Sequence, residues 1–144
     1  MNLGRVLDAS IFSGAWFPSQ PVPASDSLIR PALGIELFAP TILRQEFANA
    51  AWKLERRGRI TRDEVDIWIA TLDEMGITFV EQIRYIPTAL ATARRFGQPR
   101  IFDAIYLACA DDLGAELWTC DRRFVNSFGA ERPSNLKLCP DDIG

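Results

Sequence analysis

The sequence contains no histidine, and this absence excludes several common kinds of active site. Without histidine the chain cannot build a Ser-His-Asp triad or a Cys-His nucleophile pair, and it cannot use an imidazole as a general acid or base. The HExxH type of zinc site is excluded as well. If the protein is a hydrolase, carboxylates must carry its chemistry.

Cysteine, long apolar runs and net positive charge are also scarce. The three cysteines form no CxxC pair and are odd in number, which argues against a disulfide framework and a cysteine zinc site. Charged residues interrupt every apolar stretch before it reaches the roughly 20 residues that a membrane helix needs. The net charge of -3 means that any nucleic-acid surface must be local. We expect a single soluble, cytoplasmic domain over residues 1–144.

Short apolar runs alternate with helix-like segments along the chain. Strands are predicted in the run that ends at Asp8 and over residues 36–40, 77–80, 116–120 and 136–138. Helices are predicted over residues 42–57, 61–75, 87–96 and 101–113. Two shorter helices are also predicted: one follows a loop after Asp8, and the other begins at Asp121. The alternation favours an α/β fold with a mostly parallel central sheet of about five strands and helices on both faces.

Capping residues mark several helix ends. Thr41 is a suitable N-cap, and Thr61 with Glu64 forms a capping box. Gly97 and Gly114 follow the last apolar residues of two helices and are expected to end them.

The segment between the first two predicted strands is less regular. Residues 18–23 contain three prolines and are predicted to form a loop. Ser25 or Asp26 could cap a short helix, which Pro31 would kink or end.

Asp103 is the most informative residue, because it lies in a segment, residues 101–113, that is apolar on nearly every side. An unpaired carboxylate in such a helix is costly, so Asp103 needs a cation or several N–H donors. It could instead simply charge the first turn of its helix, which the helix dipole favours. The residue pattern alone does not choose between these readings.

Three more acids stand where an α/β fold could bring them together. Asp8 and Asp121 each follow an apolar strand-like run, and open α/β sheets build their sites at the carboxyl ends of strands. Either aspartate could also turn the chain or cap the next helix. Glu46 lies at the edge of the apolar stripe of its helix, with Asn49 and Lys53 along the same flank, and taken alone it reads as a boundary charge.

Clustered carboxylates repel one another strongly unless a cation joins them. Oxygen ligands of this kind select Mg²⁺ or Mn²⁺ over zinc. Such a site can lower the pKa of a bound water and stabilise a leaving oxygen, which permits phosphodiester hydrolysis without histidine.

Four segments carry a resemblance to a known family. They are VLDAS at residues 6–10, APTILRQEFANA at 39–50, FDAIYLACA at 102–110 and LWTCDRRF at 117–124. Each is weak alone, but in this order and spacing they resemble the PIN-domain ribonucleases, and specifically the VapC toxins of bacterial toxin–antitoxin pairs. The resemblance covers nearly the whole chain and implies a single PIN-like domain.

The resemblance implies a set of site residues and partners. The catalytic, metal-binding acids would be Asp8, Glu46, Asp103 and Asp121, with Thr119 as a polar auxiliary and Ser10 and Asn49 as further polar candidates. The implied activity is that of a Mg²⁺- or Mn²⁺-dependent endoribonuclease that cleaves tRNA or another structured RNA. A small cognate antitoxin would block the site, and the protein would form a homodimer.

Local positive charge could hold the RNA. Arg122 and Arg123 adjoin Asp121, and Lys53 shares the flank of Glu46, so these three are candidate RNA-binding residues. Other basic groups, such as Arg94, Arg95 and Arg100 or the arginines of residues 56–62, could equally be solvated helix faces.

Two other functions remain to be compared with the ribonuclease. A PIN-like module that has lost catalysis would only bind a partner protein or RNA, although a dead site need not keep all four acids. A phosphatase built on Asp8 expects a second acid two residues on, where this chain has Ser10, and no glycine-rich phosphate loop is present.

Overall fold

A computed structural model describes residues 4–30 and 33–144, which contain one five-stranded sheet. The strands are β1 (Gly4–Leu7), β2 (Glu36–Pro40), β3 (Thr78–Val80), β4 (Glu116–Thr119) and β5 (Leu136–Leu138). They lie in the order β3-β2-β1-β4-β5, and every neighbouring pair is parallel. The predicted α/β fold with a parallel central sheet is confirmed.

Helices fill the connections between the strands. In the described residues they are α1 (Ala9–Trp16), α2 (Ser25–Ile29), α3 (Ile42–Arg56), α4 (Arg62–Glu74), α5 (Ile86–Phe96), α6 (Phe102–Leu113) and α7 (Arg122–Ser127). Short 3₁₀ turns occupy Ile83–Tyr85 and Gly129–Glu131. None of the helices in these ranges is long and apolar enough to cross a bilayer.

Both faces of the sheet are covered. Val6 and Leu7 follow one another along β1, so their side chains point to opposite faces, yet they are only 0% and 1% exposed. Helix α6 packs against β1, β2 and β4, and every residue of its segment 104–110 is buried. The prediction that this helix lies inside the domain is confirmed, and its first turn is held against the centre of the sheet.

The strand order changes direction between β1 and β4. From β1 the chain proceeds outward to β2 and β3, and it then returns to place β4 on the other side of β1. Leu7 of β1 pairs with Trp118 of β4, so the two strands end side by side. Open α/β sheets bind ligands at this kind of reversal, outside the carboxyl ends of the strands.

Helix ends that depend on adjacent residues are predicted correctly. The capping box is present: the N–H of Glu64 donates to the Thr61 hydroxyl, and the N–H of Thr61 donates to the Glu64 carboxylate, both at 3.1 Å. Gly97 and Gly114 end α5 and α6 with φ angles of 65° and 62°, a left-handed conformation that glycine adopts without strain.

Thr41 is the N-cap of α3 as predicted, but the capping hydrogen bond is not the one expected. Thr41 occupies the N-cap position but makes no side-chain bond to the helix. Its hydroxyl donates to Oε1 of Gln82, and the N–H of Ile42 donates to the same oxygen at 3.2 Å. The side chain of Gln82, which follows β3, therefore supplies the acceptor that Thr41 was expected to give.

Two predictions in the first 30 residues also need correction. We expected a loop between the first strand and its helix, but α1 begins at Ala9 because Asp8 itself serves as the cap. We expected Ser25 or Asp26 to cap α2, but Ala24 holds the N-cap position without a side-chain bond. The buried Ser25 hydroxyl contacts the thiols of Cys120 and Cys139 instead. The loop over residues 18–23 is confirmed, and Pro31 lies outside the described residues.

Candidate active site

Asp8 is buried at the carboxyl end of β1, with 4% of its surface exposed. Its Oδ1 accepts hydrogen bonds from the Ser10 N–H, at 3.0 Å, and from the Ser10 hydroxyl, so Asp8 does cap α1. Burial raises the pKa of Asp8 to about 6, and the charge of Glu46 also raises it, against the hydrogen bonds from Ser10 and Thr119. The hydrogen bonds that cap α1 therefore do not offset the effect of burial on the Asp8 carboxylate.

Ser10 and Thr119 join the ends of β1 and β4. The Ser10 hydroxyl accepts a hydrogen bond from the N–H of Cys120 at 2.8 Å and lies 3.3 Å from the Thr119 hydroxyl. Oγ1 of Thr119 accepts a hydrogen bond from the N–H of Asp121 at 2.9 Å. The two hydroxyls thus connect Asp8 with the segment that carries Asp121.

Asp121 caps the helix that follows β4. Its Oδ1 accepts a hydrogen bond from the N–H of Phe124 at 3.2 Å, which fixes the start of α7. The side chain is only partly buried. Asp121 is therefore a helix cap, which was one of the two roles that the sequence allowed. Its charge also raises the pKa of Asp103.

Glu46 reaches the site from α3 and is held by a tyrosine of α6. The buried Tyr106 hydroxyl donates to Oε1 of Glu46 at 2.6 Å. Burial raises the pKa of Glu46, although the Tyr106 hydrogen bond and the charge of Arg100 oppose the rise. Sequence reasoning missed Tyr106, and its position one helical turn after Asp103 is the signal that could have found it.

Asp103 lies in the first turn of α6. Its carboxylate accepts no hydrogen bond from the described residues, and the cap position belongs to Ile101, whose side chain makes no capping bond. Burial raises the pKa of Asp103 to about 8, and the charges of Asp8, Asp121 and Glu46 add to the rise while Arg100 opposes it. The charges of the other three predicted acids therefore all act on Asp103.

Four carboxylates are suitable ligands for a hard divalent cation. Their side chains, however, do not converge on a common point where a cation could bind. Over residues 4–30 and 33–144, no group of three or more His, Cys, Asp and Glu side chains is arranged so that it could hold a metal ion. Three of the four carboxylates are turned toward protein donors, namely Ser10, Tyr106 and the N–H of Phe124. Asp103, which has no such donor, most needs a positive partner.

The other candidate residues surround the acids less closely. Asn49 and Lys53 are exposed, and neither side chain has a hydrogen bond or salt bridge with another described residue. Arg122 is held by Asp141 through two bonds of 2.8 and 2.9 Å. Arg123 is exposed and has no salt bridge within the described chain. Their roles in binding RNA stay predictions.

Known proteins share the pattern of this chain. The sequence profile of the PIN domain matches residues 6–134. Ribonuclease VapC3 of Pyrobaculum aerophilum is 28% identical over 127 residues, which cover 87% of this chain and 95% of that protein. The profile match includes all four acids of the site.

The raised pKa values of Asp8 and Asp103 predict how stability depends on pH. In buffer with EDTA, the free energy of unfolding should fall as the pH rises from about 4 to about 8, because the folded protein keeps protons that the unfolded chain has released. Asp103→Asn should reduce this fall and make the protein more stable than the wild type at pH 8. Thermal unfolding across this range measures both effects. Asp66→Asn, an exposed acid on α4, is the control, and equal pH slopes for wild type and Asp103→Asn would contradict the account.

The hydrogen bond between Tyr106 and Glu46 makes a second prediction. Tyr106→Phe should lower the free energy of unfolding by about 1–3 kcal/mol where Glu46 is ionised, because a partly buried carboxylate loses its donor. Denaturant titration at high and low pH tests this, since a protonated Glu46 needs the donor less. In a Glu46→Ala background the same substitution should cost less. An unchanged cost in that background would show that the hydrogen bond is not the cause.

Proposed function

This chain belongs to the PIN-domain family, and we propose that it is a divalent-metal-dependent endoribonuclease that acts as the toxin of a toxin–antitoxin pair. The observation that carries the proposal is the state of Asp103. Its carboxylate accepts no hydrogen bond from the described residues, and its pKa is raised to about 8 by burial and by the charges of three other acids, although Arg100 opposes the rise. A divalent cation would stabilise the ionised form. The printed name of the relative from Pyrobaculum aerophilum, a ribonuclease, supports RNA as the substrate.

Asp8, Glu46, Asp103 and Asp121 are the residues that would hold the Mg²⁺ or Mn²⁺. When bound, the cation would lower the pKa of a water and offset the charge that develops on the phosphate during hydrolysis. Carboxylate oxygens suit either ion, and the absence of histidine from the chain disfavours zinc.

The remaining residues of the site orient these acids. Ser10 and Thr119 fix the ends of β1 and β4 relative to each other, so that Asp8 and Asp121 keep a constant separation. Tyr106 holds Glu46 of α3 toward α6. These hydrogen bonds fix the elements that carry the acids, while the carboxylates themselves would still turn toward a bound cation. Asn49 stands near Glu46 along α3 as a further polar candidate.

The proposal extends to the partners of the protein. The RNA would be a tRNA or another structured RNA, with Arg123 and Lys53 contacting its phosphates. Arg122 would join them only by exchanging its ion pair with Asp141 for a phosphate. A small antitoxin would cover the acids, and two copies of the chain would form a homodimer in the cytoplasm.

Cleavage of RNA tests the proposal. The purified protein, freed from any bound antitoxin by unfolding and refolding, should produce new RNA ends with Mg²⁺ or Mn²⁺ and none with EDTA. Asp103→Asn should reduce the rate by at least about 100-fold, since even residues that only orient metal ligands contribute 10–100-fold. Sequencing of the new ends would identify the target.

Two controls make this experiment decisive. Asp66→Asn removes a carboxylate from the exposed face of α4 and should cleave like the wild type. Asp103→Asn must remain folded by circular dichroism. If folded wild type yields no metal-dependent ends, or if Asp103→Asn cleaves as fast as the wild type, the protein is not this nuclease, and a catalytically inactive module that binds a partner protein or RNA becomes the better account.

A further inference from the structure

Two exposed side chains beside Asp103 have no role in the proposed chemistry. Arg100 precedes α6, and Phe102 is the first residue of that helix, so both stand within three residues of the central acid of the site. Phe102 is 38% exposed although it is a large apolar side chain. A charged and an aromatic group at the edge of an acidic site have the chemistry needed to hold a nucleotide.

Arg100 is available for a phosphate. Its side chain is exposed, and it forms no salt bridge with the carboxylates of the described chain. Its charge nevertheless lowers the pKa of both Glu46 and Asp103, so the guanidinium stands near these acids. Arg95 and Arg122, by contrast, are held by Glu131 and Asp141. A guanidinium that is near acids without an ion pair to them can pair with a phosphate oxygen of the substrate.

Phe102 is available for a base. Among the aromatic side chains that the structure describes, only Phe102 and Trp52 are exposed, at 38% and 52%. The ring of Phe102 takes part in none of the aromatic pairs within the described residues, whereas Phe12, Phe47 and Trp68 form one packed cluster. Exposed aromatic rings beside a cationic group are the usual platforms on which unpaired bases stack.

The backbone fixes both residues relative to Asp103. The N–H of Ile105 donates to the carbonyl of Ile101 at 2.9 Å, so the helix is formed from its first turn. On the other side of Arg100, the N–H of Gln98 donates to the carbonyl of Ala93 at 2.9 Å and ties the turn to α5. Arg100 therefore lies in a short connection between two hydrogen-bonded helix ends, and Phe102 lies within α6.

We propose that Arg100 and Phe102 form a nucleotide clamp, in which Arg100 binds a phosphate next to the scissile bond and Phe102 stacks on the adjoining unpaired base. This inference rests on the proposed ribonuclease function and assigns two residues that position its substrate. The RNA must have at least one unpaired nucleotide at the cut, because a base within a duplex keeps its stacking partners and does not reach Phe102.

Binding of short RNA tests the clamp. The probes are a fluorescent single-stranded RNA of mixed sequence and the duplex that it forms with its complement. The variants Arg100→Gln, Arg100→Lys, Phe102→Ala and Phe102→Trp are made in the Asp103→Asn protein for binding at several salt concentrations, and in the otherwise unchanged protein for kcat/KM. Arg95→Gln and Ile83→Ala are matched controls, since they remove a paired arginine and an exposed apolar side chain elsewhere.

The two halves of the clamp give different signatures. Arg100→Gln should weaken binding of the single strand about tenfold and reduce the slope of log K against log salt by about 0.7, with partial recovery in Arg100→Lys. Phe102→Ala should weaken single-strand binding by about 5- to 100-fold without changing that slope, and it should leave duplex binding unchanged. Phe102→Trp should bind the single strand like the parent protein. Both controls should behave like the parent protein.

The outcomes separate the clamp from the ribonuclease activity itself. If wild type cleaves RNA and Asp103→Asn does not, but Arg100→Gln and Phe102→Ala retain full kcat/KM, affinity and salt slope, the clamp is overturned and the nuclease stands. Equal loss of single-strand and duplex binding in Phe102→Ala also overturns it, since stacking requires an unpaired base. If wild type cleaves no RNA, the proposed function itself has failed.

Discussion

The burial of carboxylates that also repel one another is the constraint on which this site depends. Burial is the largest cause of the raised pKa of Asp103, and the charges of three other acids add to it. Such a carboxylate stays ionised near neutral pH only when a cation or a positively charged side chain lies close to it. Burial is also the main cause of the raised pKa of Asp8, to which the charge of Glu46 adds. In the chemistry that we propose, a divalent cation would both stabilise these carboxylates and activate water.

The fold creates this constraint by its topology. The reversal of strand order places the ends of β1 and β4 side by side, and these ends carry Asp8 and Asp121. Helix α6 crosses the middle of the sheet and delivers Asp103, and the hydroxyl of Tyr106 on the same helix ties Glu46 to the group. Acids that are far apart in the sequence are therefore neighbours. Exposed Arg100 and Phe102 at the start of α6 extend this site toward the substrate.

The sequence predicted features that depend on neighbouring residues better than those that depend on distant ones. The Thr61–Glu64 capping box and the glycines that end α5 and α6 are local and are confirmed. The capping hydrogen bond expected from Thr41 is absent because the Thr41 hydroxyl donates to Gln82, 41 residues away. Tyr106 and Glu46, 60 residues apart, and the ion pair of Arg122 with Asp141 involve partners that only the folded chain brings together. Asp8 and Asp121 were predicted from their positions after strand-like runs, and Asp103 from its apolar helix. Asp8 and Asp121 meet donors that are close in the sequence, whereas the donor of Glu46 depends on tertiary packing.

Direct measurement of metal binding is the most decisive test of the account. Metal-free protein titrated with Mn²⁺, followed by electron paramagnetic resonance and calorimetry, should bind the ion saturably, and Asp103→Asn should weaken this binding by at least about tenfold. Asp66→Asn should bind like the wild type. Absence of saturable Mn²⁺ binding in the folded wild type, or equal binding by Asp103→Asn, would show that the carboxylates do not form a cation site.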